Sequence, residues 1–242
     1  MAELPHIAPI GTEGYLVRFA DRLDDAANRA LVGFAAALEA EDVAGIVEIS
    51  TALASVFVRF DVTRIARADL VLRLQALLDS RDWLTAASAA PPRLWRVRTL
   101  YGGAAGPQLA EVARLVGVTE EAAVRELSAA RVRVLAIGFA PGQPYLGMLP
   151  ERWDVPRQTA LSPRVPQGAL VLAVRQFNLF ANETPTGWRH IATTHLKLFQ
   201  PDAPQPFVLR PGDELLFPAV SEHDWAMLET DPMGGAQLEE AT

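Results

Sequence analysis

The stretch Arg131–Gly147 reads RVRVLAIGFAPGQPYLG, and its two halves follow different rules. Val132–Phe139 is a run of apolar and β-branched residues, the composition of a buried strand. Gly138–Gly147 then holds three glycines and two prolines in ten residues. Proline locks φ and glycine admits conformations that other residues avoid, so this half reads as a rigid, irregular loop after the strand. Such a loop either presents backbone N–H groups and Tyr145 to a ligand or is a tight connection without chemistry. It is no phosphate loop, because no Gly-Lys-Ser/Thr follows it.

Downstream the same rhythm continues. Ala169–Val174, Leu179–Phe180, Trp188–Thr193, Leu196–Phe199 and Glu214–Phe217 read as short strands punctuated by Gly and Pro. That spacing predicts a barrel or sandwich. Asp231–Thr242 is small and acidic and reads as a frayed tail. Upstream, Leu94–Leu100 predicts a strand ending in Tyr101-Gly102-Gly103. Pro107 suits the first position of a helix whose apolar face is Leu109, Val112, Ala113 and Val116, and Gly117 stops it. Thr119 caps a second helix, with Glu120 and Glu121 where the helix dipole favours acids.

The first third has another pattern. His6–Ile10 and Gly14–Phe19 read as strands, and Asp24 caps a helix with Ala27, Leu31, Phe34 and Leu38 on one face. Gly45–Ile49 and Ser55–Phe60 are strand-like, and Leu70, Leu74 and Leu77 mark a second helix. The order strand, strand, helix, strand, strand, helix predicts an α+β sandwich with both helices on one side of an antiparallel sheet. Ala86–Pro92 is small and proline-ended and reads as the linker. The expected domains are thus residues 1–88 and 93–230, followed by the tail 231–242.

Composition narrows the function. Half of the 242 residues are apolar and 21% are charged, as in an ordinary globular protein. A net charge of −7 disfavours nucleic acid and anionic membranes, which both need a basic face. Lys197 is the sole lysine among 22 basic residues. With no cysteine, disulfides, thiolate metal sites and a cysteine nucleophile are excluded. Met1–Gly11 lacks the pattern of a signal peptide, and the apolar runs are too short for a membrane helix, so a cytoplasmic protein is expected.

Several residues are candidates for a site. Arg157 and Arg164 flank a polar stretch before Val165-Pro166-Gln167-Gly168, and two arginines there can grip an anionic group bidentately or simply be surface residues. Gln176 and Asn178 alternate with apolar neighbours, so one side chain faces a pocket or satisfies backbone groups. His190, beside Trp188, is the histidine placed for acid–base work, with a structural role as the alternative. The four histidines show no metal-ligand spacing, and no Gly-x-Ser-x-Gly elbow is present.

Tyr101-Gly102-Gly103 with Gly106-Pro107, Gly138-Phe139 with Pro141-Gly142 and Pro144-Tyr145-Leu146-Gly147, Pro156-Arg157, Arg164-Val165-Pro166 with Gly168, Gln176, and Pro185-Thr186-Gly187-Trp188 together resemble a known family. It is that of the allophanate-hydrolase subunit 1 proteins (carboxyltransferase subdomains C and D), which includes the B subunit of ATP-dependent 5-oxoprolinase and the Kip-type inhibitor of a sporulation kinase. The resemblance spans nearly the whole chain. It implies a ferredoxin-like α+β domain followed by a cyclophilin-like β-barrel, and a heteromer with a cognate subunit 2. It further implies a small lactam, amide or ureido acid as substrate, opened at the expense of ATP, with any Mg, bound by the complex. The ligand residues expected from it are Gly142, Gln143, Pro144, Tyr145, Arg157, Arg164, Gln176, Trp188 and His190. An inhibitor of a histidine kinase or a silent scaffold is the other expectation. Catalytic residues do not emerge, and no metal site is expected.

The chain also departs from that family. Ala140 and Gln143 replace the methionine and phenylalanine expected in the loop. Ala173–Ala181 keeps only Ala173 and Gln176 of Ala-Gly-x-Gln-Thr-Gly-Ile-Tyr-Pro, and Asn178 stands where a glycine is usual. Gln108 takes the place of an aspartate.

Overall fold

A computed structural model describes residues 4–85 and 93–239 of the chain. These fall into two compact units, Met1–Pro91 and Pro92–Thr242. The predicted linker at Ala86–Pro92 lies outside the described residues.

The first unit runs β1 (His6–Ile10), β2 (Gly14–Arg18), α1 (Asp25–Ala40), β3 (Ile46–Thr51), β4 (Ser55–Phe60) and α2 (Arg67–Asp79). The sheet is antiparallel in the order β1-β2-β4-β3. Alternation puts Tyr15 and Val17 of β2 and Val56, Val58 and Phe60 of β4 on one face. There they bury against Leu31, Phe34 and Leu38 of α1 and Leu70, Leu74 and Leu77 of α2. Asp24 caps α1 as its sequence predicts, its carboxylate accepting the Ala27 N–H at 2.9 Å. Phe34 is fully buried and meets Phe19 and Trp83 edge-on.

The second unit runs β5 (Leu94–Arg96), β6 (Thr99–Tyr101), α3 (Leu109–Val116), α4 (Glu120–Ala129), β7 (Val132–Ile137), β8 (Pro144–Gly147), β9 (Ser162–Val165), β10 (Ala169–Ala173), β11 (Gln176–Leu179), β12 (Thr184–Thr186), β13 (Arg189–Thr194), β14 (Glu214–Leu216), α5 (Glu222–Met227) and β15 (Gln237–Glu239). Nine strands form one sheet in the order β15-β5-β14-β7-β8-β11-β10-β13-β6, and β12 pairs with β9 separately. The sheet curls: Val97 N–H donates to Leu216, and Thr99 N–H to Pro218, so the β5–β6 segment bonds to the chain around β14 while β6 pairs with β13. Leu146, Phe177, Leu170, Leu172 and Leu215 point inward to one core with α3 and α4.

Five expectations are corrected. Leu94–Leu100 is not one strand but breaks into β5 and β6, which face different neighbours. Leu196–Phe199 is not a strand and makes only the isolated bridge Phe199–Phe207. The second half of the Gly/Pro-rich loop is strand β8, because proline at the first strand position gives up an N–H that pairing does not need. The stretch read as a frayed tail supplies β15, whose Gln237 and Leu238 pair with Arg96 and Trp95. The α3 helix also starts later than its proline suggests, with Gln108 at the N-cap.

Tight turns set the register of β10 and β11. Ala173 pairs with Gln176, so only Val174 and Arg175 turn the chain, both at positive φ (45° and 62°). This is the left-handed pair that a two-residue hairpin requires. Valine is poorly suited to it, since a β-branched side chain crowds the backbone there. Replacing Val174 by asparagine, which tolerates that region, should raise the unfolding free energy by roughly 1 kcal/mol in urea titrations. Phe34→Ala should lower it by about 3–5 kcal/mol, because it empties an enclosed aromatic site.

Candidate functional site

The outer face of strands β8, β11, β10 and β13 gathers most of the candidate residues. Cross-strand pairing sets Tyr145 opposite Asn178, Asn178 opposite Val171 and Val171 opposite His190, so these four form one row. Partners in register share a face, and the inner neighbours Leu146, Phe177 and Leu170 go to the core. Outside, Val165, Ala169, Val171, Ala173, Phe180 and Trp188 form a second buried cluster, against which the half-buried Tyr145 packs. The Tyr145 and Trp188 rings meet edge-on with centroids 6.3 Å apart. The Arg157 guanidinium sits 5.3 Å from the centre of the Trp188 ring. Small residues on the sheet and three aromatic walls, with a few polar groups between, are the ingredients of a small-ligand site.

A relay of amides holds this face. The His190 N–H donates to Gln108 Oε1 at 2.9 Å, and Gln108 Nε2 donates to Gln158 Oε1 at 2.7 Å. Gln158 Nε2 then donates to the Trp188 carbonyl at 3.1 Å. Buried Arg189 reaches Glu111 of α3 at 2.9 Å and the Pro156 carbonyl. The Arg157 loop, β13 and α3 are thereby fixed to one another. Sequence reasoning missed the parts played by Gln108, Gln158, Glu111 and Arg189, since their partners lie between 30 and 82 positions away.

The remaining candidates divide. Gln143 is buried, and its Oε1 accepts the Ala181 N–H at 3.3 Å, tying the loop to the end of β11. Gly142 has φ +75°, and an added Cβ would come within 2.8 Å of the Leu198 carbonyl oxygen, so it is a packing residue. Pro144 is buried at the start of β8. Two N–H groups of the loop are already used, Gln143 donating to Ala140 and Gly138 to Gln143, so they are not available to a ligand. Gln176 is buried on the Asn178 side of β11, next to Gly147. Arg164 is not brought to this cluster. Its neighbour Val165 turns inward, while Arg164 stays exposed and forms a bidentate pair with Glu183. A pair so open to water contributes at most about 1 kcal/mol.

Among the described residues Asn178 is one of a few with a buried side-chain atom that lacks a partner. It is 3% exposed, yet its Oδ1 has no hydrogen-bond partner. Among the described residues no group of three or more His, Asp or Glu could hold a metal ion. A cleft of about 480 Å³ lies elsewhere in this unit, bordered by Arg131, Met148, Trp153 and Arg175, and none of the predicted ligand residues lines it. No helix among the described residues is long and apolar enough to cross a membrane.

Residues 5–209 match the family model for the carboxyltransferase domain, subdomain C and D. The chain belongs to this family. As a member, it is 37% identical over 159 residues to the 5-oxoprolinase B subunit of Escherichia coli O157:H7, covering 65% of this chain and 73% of that protein. It is 28% identical over 233 residues to the 5-oxoprolinase B subunit of Bacillus subtilis (strain 168), covering 90% and 94%. Among solved structures it resembles TTHA0988 with a TM-score of 0.73 and 28% identity, over 86% of this chain. It spans only 40% of that longer chain.

His190 generates a prediction. Its Nε2 lies 3.0 Å from Thr193 Oγ1, which itself donates to the Ala105 carbonyl, so Nε2 carries the proton. Burial pushes its pKa below the usual 6.5, opposed by bonds to the Ala192 and Ala105 carbonyls. As pH falls below about 6.5, the unfolded chain takes up this proton before the folded one, so stability declines with falling pH in that window. An NMR titration should find His190 below the ordinary histidine value, and His190→Gln should make the decline in stability shallower.

Proposed function

We propose that this chain is one subunit of an ATP-dependent amidohydrolase complex of the 5-oxoprolinase type. The observation that carries the reading is 37% identity to a 5-oxoprolinase B subunit across most of that protein's length. The subunit designation supports a heteromer, with a cognate subunit 2 as the expected partner. The aromatic-walled face in the second unit supports a small cyclic amide as the ligand. In this reading the domains are a ferredoxin-like sandwich over residues 1–88 and a cyclophilin-like barrel from residue 93 that takes in β15. The one-sided helices of the first unit and the curled sheet of the second support those descriptions.

The residues of this chain have separate tasks. Tyr145, Phe180 and Trp188 receive the apolar edge of a five-membered ring and exclude water from it. Arg157, held over Trp188 with its charge exposed, pairs with the ligand's carboxylate, a charge-assisted contact. Gln143, Gln176 and His190 shape the polar side of the face, with Gln143 fixing the loop against β11. Arg164 belongs to the rim and acts there only if its pair with Glu183 opens. ATP activates the carbonyl in such a complex. This chain has neither a phosphate loop nor, among the described residues, a magnesium ligand cluster, so its residues do not fit that group. ATP, with any Mg, is bound at the level of the complex.

Two outcomes test the reading. The full chain alone should release no product from 5-oxoproline and ATP, whereas co-purified with its cognate subunits it should open the lactam. Turnover by the isolated chain at the rate of the complex would overturn it, as would a complex silent on 5-oxoproline. Within the active complex, Arg157→Ala should raise KM roughly tenfold with little change in thermal stability, since the residue is exposed.

A further inference from the structure

A buried acceptor without a partner is costly. Taking a carbonyl oxygen out of water without replacing its hydrogen bond sacrifices stability, so folded proteins leave few such groups. Asn178 Oδ1 is one, in a residue only 3% exposed. The residue sits in the middle of the outer face. Tyr145 and Val171 are its cross-strand neighbours, Phe180 follows two positions later on the same side, and Trp188 packs edge-on against Tyr145. The Asn178 neighbours Val171, Ala169 and Ala173 are apolar, and the amides that do fix the backbone, Gln108, Gln158 and Gln143, all have partners.

We infer that Asn178 is a specificity-determining residue, whose Oδ1 accepts the N–H of a ring amide bound against Tyr145. This rests on the functional reading above. A carboxamide offers an acceptor and a donor on one edge. The complement is an amide locked cis, with its own N–H and C=O side by side, as in a lactam or cyclic ureide. An open-chain trans amide points those groups in opposite directions and satisfies only one of them. The half-buried Tyr145 lies directly opposite Asn178. A lactone of the same shape presents a ring oxygen to Oδ1 in place of the N–H, and two acceptors then face each other in a dry site. A site built around one hydrogen bond discriminates strongly against the ligand that lacks it.

The test uses the full chain in complex with its cognate subunits and two probes, 5-oxoproline and the lactone acid in which oxygen replaces the ring N–H. Calorimetry should show the lactone binding roughly tenfold to a hundredfold more weakly. Asn178→Leu, which keeps the branched shape and deletes both polar atoms, should bring the two affinities together by weakening the lactam alone. Its thermal midpoint should stay level or rise, because an unpartnered buried acceptor has been removed. Asn178→Ala provides the same comparison if leucine does not fit. A lactam preference that survives in the variants would overturn the inference while leaving the site reading intact, as would equal binding of both probes by the natural chain. A fall in the midpoint of Asn178→Leu with discrimination retained would show a structural amide. Binding of neither probe by the natural complex would overturn the site reading, and this inference with it.

Discussion

Strands β8, β11 and β10 are buried on both faces, and the rest of the second unit answers to that constraint. Their inner side chains, Leu146, Phe177, Leu170 and Leu172, must meet the core under α3 and α4. Their outer side chains then need a second cover, which comes from Trp188, Val165 and Phe180. Without that cover Val171, Ala169 and Ala173 would face water. The small side chains on the sheet leave the space that the aromatic rings fill, and the ring contacts add roughly 0.5–1.5 kcal/mol each beyond area burial.

Covering a sheet twice creates a polar problem. Segments such as 156–158 and 186–190 must cross the outer face, and their backbone groups lose water as they do so. Side-chain amides solve it here. Gln108, Gln158 and Gln143 each accept or donate to backbone that would otherwise be orphaned. Where the family pattern has an aspartate, Gln108 does this without charge, and it can donate and accept at once. The same chemistry explains why several of this unit's glutamines are buried or half-buried.

The relation between this face and chemistry is one of division of labour. The chain offers shape, apolar walls and one cation over Trp188, which are means of binding and orienting a ligand. Burial lowers the pKa of its histidine on the face, which is engaged with Thr193. In the proposed reading such a surface binds and orients a ligand for a multi-chain enzyme.

Local sequence determined a good deal. The Asp24 and Thr119 caps, the Gly117 stop and the strands His6–Ile10 and Ser55–Phe60 follow from residues within four positions of one another, and the structure has them as read. The motifs around Gly138–Gly147 and Pro185–Trp188 likewise pointed to the family, because proline and glycine constrain the backbone wherever they stand. What local sequence did not decide was facing. Arg164 and Val165 are adjacent, yet one pairs with Glu183 in solvent and the other closes the cluster, a choice fixed by which side of the β9–β12 ribbon meets the sheet. Gly142 and Gln143 hold the loop through contacts with Leu198 and Ala181 that span tens of residues, which local sequence does not reveal. The residues after Asp231 looked like a tail because their composition is weak, but the open edge of β5 supplied the backbone partners that make a strand of them. Tertiary structure decided these points because hydrogen-bond satisfaction across a sheet is a property of neighbours, and neighbours there are distant in sequence.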